Sequence, residues 1–85
     1  MKFRRLNCFK KFYKSLPETI PQKTDKALTL LFSNPKHPSL QVKKLEGIHN
    51  IWYLRVDRQY RLTFQIEKEF YIIRHVGLHD IIDNP

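Results

Sequence analysis

Arg55, Arg61 and His79 are the side chains of this sequence best equipped to handle a phosphate. Parity brings the two arginines together. Trp52, Leu54 and Val56 alternate with Tyr53 and Arg55, and Tyr60, Leu62, Phe64 and Ile66 alternate with Arg61 and Thr63. That is the period of half-buried strands. Residues opposite each other in an antiparallel pair share a face, so a two-residue turn of Arg58 and Gln59 would aim the two apolar rows in opposite directions. A three-residue loop, Asp57 to Gln59, aligns them: Val56 meets Tyr60, Leu54 meets Leu62, Trp52 meets Phe64, and on the other face Arg55 meets Arg61. Two arginines so placed have Cβ atoms roughly 5 Å apart and repel. A phosphate held between their guanidinium forks would turn the repulsion into charge-assisted, bidentate hydrogen bonds. The plainer alternative is a pair of solvated strand arginines on an open sheet face.

Arginines with a histidine are the groups needed to cleave a phosphodiester without metal. The arginines would neutralise the phosphorane-like transition state, and a histidine, which ordinarily titrates near neutrality, would move protons. RNA supplies its own nucleophile in the 2′-hydroxyl. His79 is the first candidate for acid or base and His75 the second; a loop or capping histidine is the alternative for His79. A three-residue turn over Glu67 to Glu69 would set Ile66 opposite Phe70 and Arg61 opposite His75, with His79 extending the same row beyond Gly77. Since Ile72 and Ile73 are both apolar, a four-residue turn that brings Arg74 to Arg61 is the competing register. Other chemistries lack their residues. Gly47 and Gly77 alone cannot build a Gly-rich phosphate loop. His37, His49, His75, His79 and Cys8 do not have structural-zinc spacing, and no Ser or Cys nucleophile signature is present. No cofactor and no metal are expected.

The elements that must carry these residues fit one domain, residues 1–85, since a chain of 85 residues buries roughly 60 to 70% of its unfolded surface. Lys2 to Leu6 reads as a short edge strand. Asn7 is placed to cap a helix with Phe9, Phe12, Tyr13 and Leu16 on its inner face, ended by Pro17. Thr19 and Gln22 have capping-box spacing with Pro21 in the first turn, opening a second helix through Ile20, Ala27, Leu28 and Leu31 that stops at Asn34-Pro35. Leu40 to Leu45 is a weak strand closed by Gly47, and Ile48 to Asn50 leads into the three strands that follow. Asp80 would cap a last turn through Ile81 and Ile82. The order β-α-α-β-β-β-β predicts an α+β fold, a helical hairpin on one face of a mostly antiparallel four- to five-stranded sheet. The other face, with Arg55 and Arg61, is left open.

The formal net charge is +8, and it is unevenly spread. Up to Lys44 there are eleven Lys and Arg against Glu18 and Asp25, and beyond it five against six acidic residues. The lysine-rich half, Lys43 and Lys44 included, suits a phosphate backbone or an acidic protein. A single cysteine and no apolar span or secretory leader point to a soluble, cytoplasmic protein without a membrane partner.

Tyr60-Arg-Leu62 followed by Val76-Gly-Leu-His-Asp80 resembles the RelE/ParE superfamily of toxins from toxin–antitoxin pairs. Phe12 to Pro17, Asn34-Pro-Lys-His-Pro-Ser-Leu40, Lys44-Leu-Glu-Gly47 and Trp52 to Arg55 extend the resemblance over nearly the whole chain. For the RelE-like branch this implies ribosome-dependent cleavage of mRNA in the A site, leaving a 2′,3′-cyclic phosphate, with ribosome and mRNA as partners and an acidic antitoxin that masks the basic surface. By the same resemblance Arg61 would hold the scissile phosphate, and Arg55 would contact the phosphate or activate the 2′-hydroxyl. His79, arginine in RelE and histidine in YoeB and YafQ, would be the general acid. Tyr53, standing where RelE carries lysine, is expected to bind substrate with His75, Lys43 and Lys44. The rival is a ParE-like toxin that poisons DNA gyrase without nuclease chemistry.

Overall fold

The computed structural model describes residues 2–47 and 50–83; the Ile48–His49 part of the expected lead-in lies outside them. A five-stranded sheet has the order β1-β5-β4-β3-β2, built from β1 (Lys2–Arg5), β2 (Lys43–Lys44), β3 (Trp52–Arg55), β4 (Tyr60–Glu67) and β5 (Phe70–Leu78). Two helices, α1 (Asn7–Lys14) and α2 (Ile20–Ser33), follow β1, and a 3₁₀ turn, His79–Asp83, follows β5. The helices bury Phe9, Ala27, Leu28 and Leu31 against Leu54, Leu62, Phe64, Ile73 and Val76 of the sheet. That is the expected hairpin on one face. Every strand pair is antiparallel except β1 with β5, which is parallel, Lys2 opposite Phe70 and Arg5 opposite Ile73. The connection between them is long enough for this because both helices lie within it.

The β3–β4 register is the one parity demands, with Trp52 opposite Phe64, Leu54 opposite Leu62 and Arg55 opposite Arg61. The β4–β5 register differs from the expectation. Glu67 pairs with Phe70, leaving a two-residue turn of Lys68 and Glu69, and Ile66 pairs with Tyr71 rather than Phe70. Left alone, that register would carry on without a break, but the ladder shifts between Phe64–Ile73 and Thr63–His75. Arg74 is the extra residue, a bulge that keeps both Ile73 and Val76 in the core. His75 therefore faces Thr63, and Arg61 faces Gly77.

Local expectations were met unevenly. Leu6 rather than Asn7 is the N-cap of α1, and neither it nor Thr19, the N-cap of α2, makes a side-chain cap bond, so the Thr19–Gln22 box is not closed. Pro21 does sit in the first turn of α2, and Asn34 ends it. The Leu40–Leu45 strand shrinks to Lys43–Lys44. Its start is displaced by a backbone bond from the Arg55 N–H to the Leu40 carbonyl at 2.7 Å, which pins the fully buried Leu40, and Gln41 then takes φ 47°. No helix of the described residues is long and apolar enough to cross a membrane.

Candidate active site

Two parallel rows of side chains cross the face opposite the helices. One runs Lys43, Tyr53, Thr63, His75, each opposite the next on β2, β3, β4 and β5; the neighbouring row is Arg55, Arg61, Gly77. The face is less bare than the sequence implied, since Thr63 at its centre is fully buried between half-buried Tyr53 and His75. Phe12 of α1 reaches round the edge of β5 to stack on His75, ring centroids 4.0 Å apart.

The glycine opposite Arg61 has a specific use. A Cβ at Gly77 would lie 2.9 Å from Ile81 Cγ2 and 3.9 Å from His75 Nε2. Without it, the buried Ile81 folds back against the sheet and the 3₁₀ turn can start at His79. A backbone bond from the His79 N–H to the Gln59 carbonyl, 2.9 Å, fixes that start. As a result Gln41, Lys43, Tyr53, Arg55, Arg61 and His79 line one open depression of about 170 Å³, with Ile82 at its margin. Five of the seven residues expected at the site are thereby brought together. Lys44 is not among them, because it pairs with Trp52 on the other side of the ribbon and its ammonium lies 5.8 Å from the Trp52 ring. His75 is one rung away, on the same face but beside Thr63.

Among the described residues, the arginines are oriented by backbone and by no carboxylate. Arg55 Nε donates to the Asp57 carbonyl at 3.2 Å, and Arg61 Nη1 donates to the same oxygen at 2.7 Å and to the Tyr60 carbonyl at 2.9 Å. Both residues are half-buried, and their guanidinium groups meet at one oxygen atom. A guanidinium has five N–H donors, so these bonds set its direction and leave donors for an anion. The positive charge is undiminished, since a carbonyl accepts without neutralising. The Asp57 carboxylate itself points elsewhere: Oδ1 accepts from the backbone N–H groups of Gln59 at 2.9 Å and Tyr60 at 2.8 Å, and Oδ2 pairs with Lys23 of α2 at 3.3 Å. Burial raises its pKa, but the two N–H bonds and the Lys23 charge outweigh burial and hold the carboxyl below its ordinary range. Asp57 stands outside the residues expected at the site. Aspartate at the first position of a short loop is a known turn-former, and that signal was available.

A larger groove of about 550 Å³ lies between α1, α2 and β1. Aromatic and lysine side chains line it without a histidine or an arginine pair. The two arginines and His79 converge in the smaller depression instead.

No family profile and no curated protein matches the sequence. Solved structures do match the fold. The RelB-RelE antitoxin-toxin complex from Methanococcus jannaschii is similar over 99% of this chain and 96% of its own, with TM-score 0.75 and 24% identity. The YoeB/ParE toxin from Agrobacterium tumefaciens gives TM-score 0.78 at 13% identity, covering 93% of this chain and 99% of that one. YafQ from E. coli strain BL21(DE3) gives 0.76 at 15% identity, covering 95% and 96%. With two helices over a mixed five-stranded sheet and near-complete coverage in both directions, the chain has the RelE-like toxin fold.

Proposed function

We propose that the protein is the toxin of a type II toxin–antitoxin pair and acts as a ribosome-dependent, metal-independent endoribonuclease on mRNA in the A site. The observation that carries this reading is the meeting of Arg55 and Arg61 at one carbonyl oxygen, on a depression that His79 also lines. The fold likeness to toxins, several of them solved as complexes with their antitoxins, supports an antitoxin partner, and the +8 net charge suits an acidic one. In the reaction, the 2′-hydroxyl attacks the adjacent phosphorus and gives up its proton to bulk water as the new P–O bond forms and the bond to the 5′-oxygen breaks. Arg61 holds the non-bridging oxygens, where charge grows. Arg55 stabilises the attacking oxygen or the same phosphate. His79 gives a proton to the departing 5′-oxygen, leaving a 2′,3′-cyclic phosphate and a 5′-hydroxyl. Tyr53 presents a ring for a neighbouring base, and Lys43 a charge for the next phosphate. His75 stands back from the reacting atoms, and Lys44 contacts the rRNA or antitoxin side.

The test is a translating extract with mRNA ends mapped. Cuts should appear only in ribosome-bound message, fall by about 10²- to 10³-fold in Arg61→Ala, and by about 10²-fold or more in His79→Ala. Intact message together with gyrase-dependent DNA breaks would overturn the reading in favour of the gyrase poison.

A further inference from the structure

The three side chains proposed to act on RNA come from β3, β4 and the 3₁₀ turn, yet all three take their position from one loop. The Asp57 carbonyl fixes Arg55 and Arg61, and the Gln59 carbonyl fixes the backbone of His79. That loop is itself fixed by the Asp57 carboxylate, which closes it onto Gln59 and Tyr60 and ties it to Lys23 of α2. We propose that Asp57 is the positioning residue of the active site: its side chain sets the loop whose carbonyls aim both arginines and seat the histidine. The proposal rests on the nuclease reading for its consequence in catalysis, though not for its geometry.

Two features argue that this is more than an ordinary turn. Arg55 and Arg61 repel across the strand pair, so their convergence needs an acceptor between them. The acceptor present is a dipole that leaves both charges available to a ligand. An acidic side chain stands at the same residue, yet its oxygens bond to two N–H groups and to a lysine. A carboxylate turned toward the arginines would neutralise the site it builds; turned toward the loop, it orders the site and leaves the charge intact. The Lys23 contact adds a second anchor from the helical layer. With its side chain half exposed, that ion pair contributes less than the N–H bonds do.

Three variants separate these parts. Asp57→Ala removes every side-chain bond of the loop, Asp57→Asn keeps an oxygen for Gln59 and Tyr60 but loses the charge, and Lys23→Met removes only the ion pair. On ribosome-bound message, Asp57→Ala should lower kcat by about 10- to 100-fold with KM little changed, the size expected when catalytic groups drift by about 1 Å. Asp57→Asn should restore most of that loss, and Lys23→Met should stay close to wild type. In the free protein, hydrogen exchange at Arg55 Nε–H, read by NMR, should be slow in wild type and Asp57→Asn and fast in Asp57→Ala. Equal kcat in Asp57→Ala and wild type, or equal losses in Asp57→Ala and Asp57→Asn, would overturn the proposal. So would an Arg55 Nε–H that exchanges alike in all three proteins; if Asp57→Ala fails to fold, fast exchange in folded Asp57→Asn, which keeps the accepting oxygen, overturns it instead. A wild-type protein that leaves message intact while Asp57 still protects Arg55 would remove the nuclease reading and keep the positioning role.

Discussion

The loop after β3 and the turn after β4 join neighbouring hairpins of one sheet, and they are built on opposite principles. Between β3 and β4, three residues are stitched by the Asp57 carboxylate, and the strands beyond them pair without a break. Between β4 and β5, two residues suffice, Lys68 is forced to φ 48°, and the misfit is absorbed several residues away by the bulge at Arg74. The first connection sets where side chains point, and the second only closes the chain. A sheet can thus keep tight tolerance on one hairpin and slack on the next, provided the slack is taken up before the functional row is reached. Here it is: the shift lies between Phe64 and Thr63, and Arg61 is two residues beyond Thr63.

This contrast can be broken most severely at the loop. Deleting the exposed Arg58 leaves a two-residue connection, and every side chain of one strand must then exchange faces. Cooperative unfolding, followed by circular dichroism, should be lost, whereas Arg58→Ala at the same place should change stability by no more than about 0.5 kcal/mol. A smaller effect is expected at Gly77→Ala. Its methyl meets the buried Ile81 at 2.9 Å, so thermal unfolding should show a cost of about 1 to 3 kcal/mol, and cleavage should fall further than stability because the displaced 3₁₀ turn carries His79. The mildest change sharpens the comparison from the other side. Lys68→Gly relieves left-handed strain of about 1 to 2 kcal/mol and adds a chain-entropy cost of about 0.5 to 1. The net should be a small gain in melting temperature, with no change in cleavage.

What could be read from the sequence tracks the same divide. Arg55 opposite Arg61 followed from alternation alone, because Leu54, Leu62 and Phe64 must share a core and only an odd loop allows it. His75 was misassigned to Arg61 because Ile72 and Ile73 are consecutive apolar residues, and alternation cannot say which of them is the bulge partner of Arg74. Lys44 looked equivalent to Lys43, yet neighbours on a strand face opposite ways, and the two-residue β2 was too short to show its phase. Asn7 and Thr19 carry cap-forming side chains that cap nothing, since tertiary packing sets those helix starts. Asp57 is legible as a turn-former, but nothing in the sequence says that the carbonyl of that turn receives both Arg55 and Arg61.

The parallel pairing of β1 with β5 has a further consequence, for the order of assembly. Lys2 to Arg5 pair with Phe70 to Ile73, so the most sequence-distant contact in the sheet closes the longest loop and is among the last that can form. Both helices and the pairings of β2, β3 and β4 can gather locally while β1 still lacks its berth. The sheet is therefore completed by its least local pairing, and the edge that β1 covers stays open until the rest has assembled.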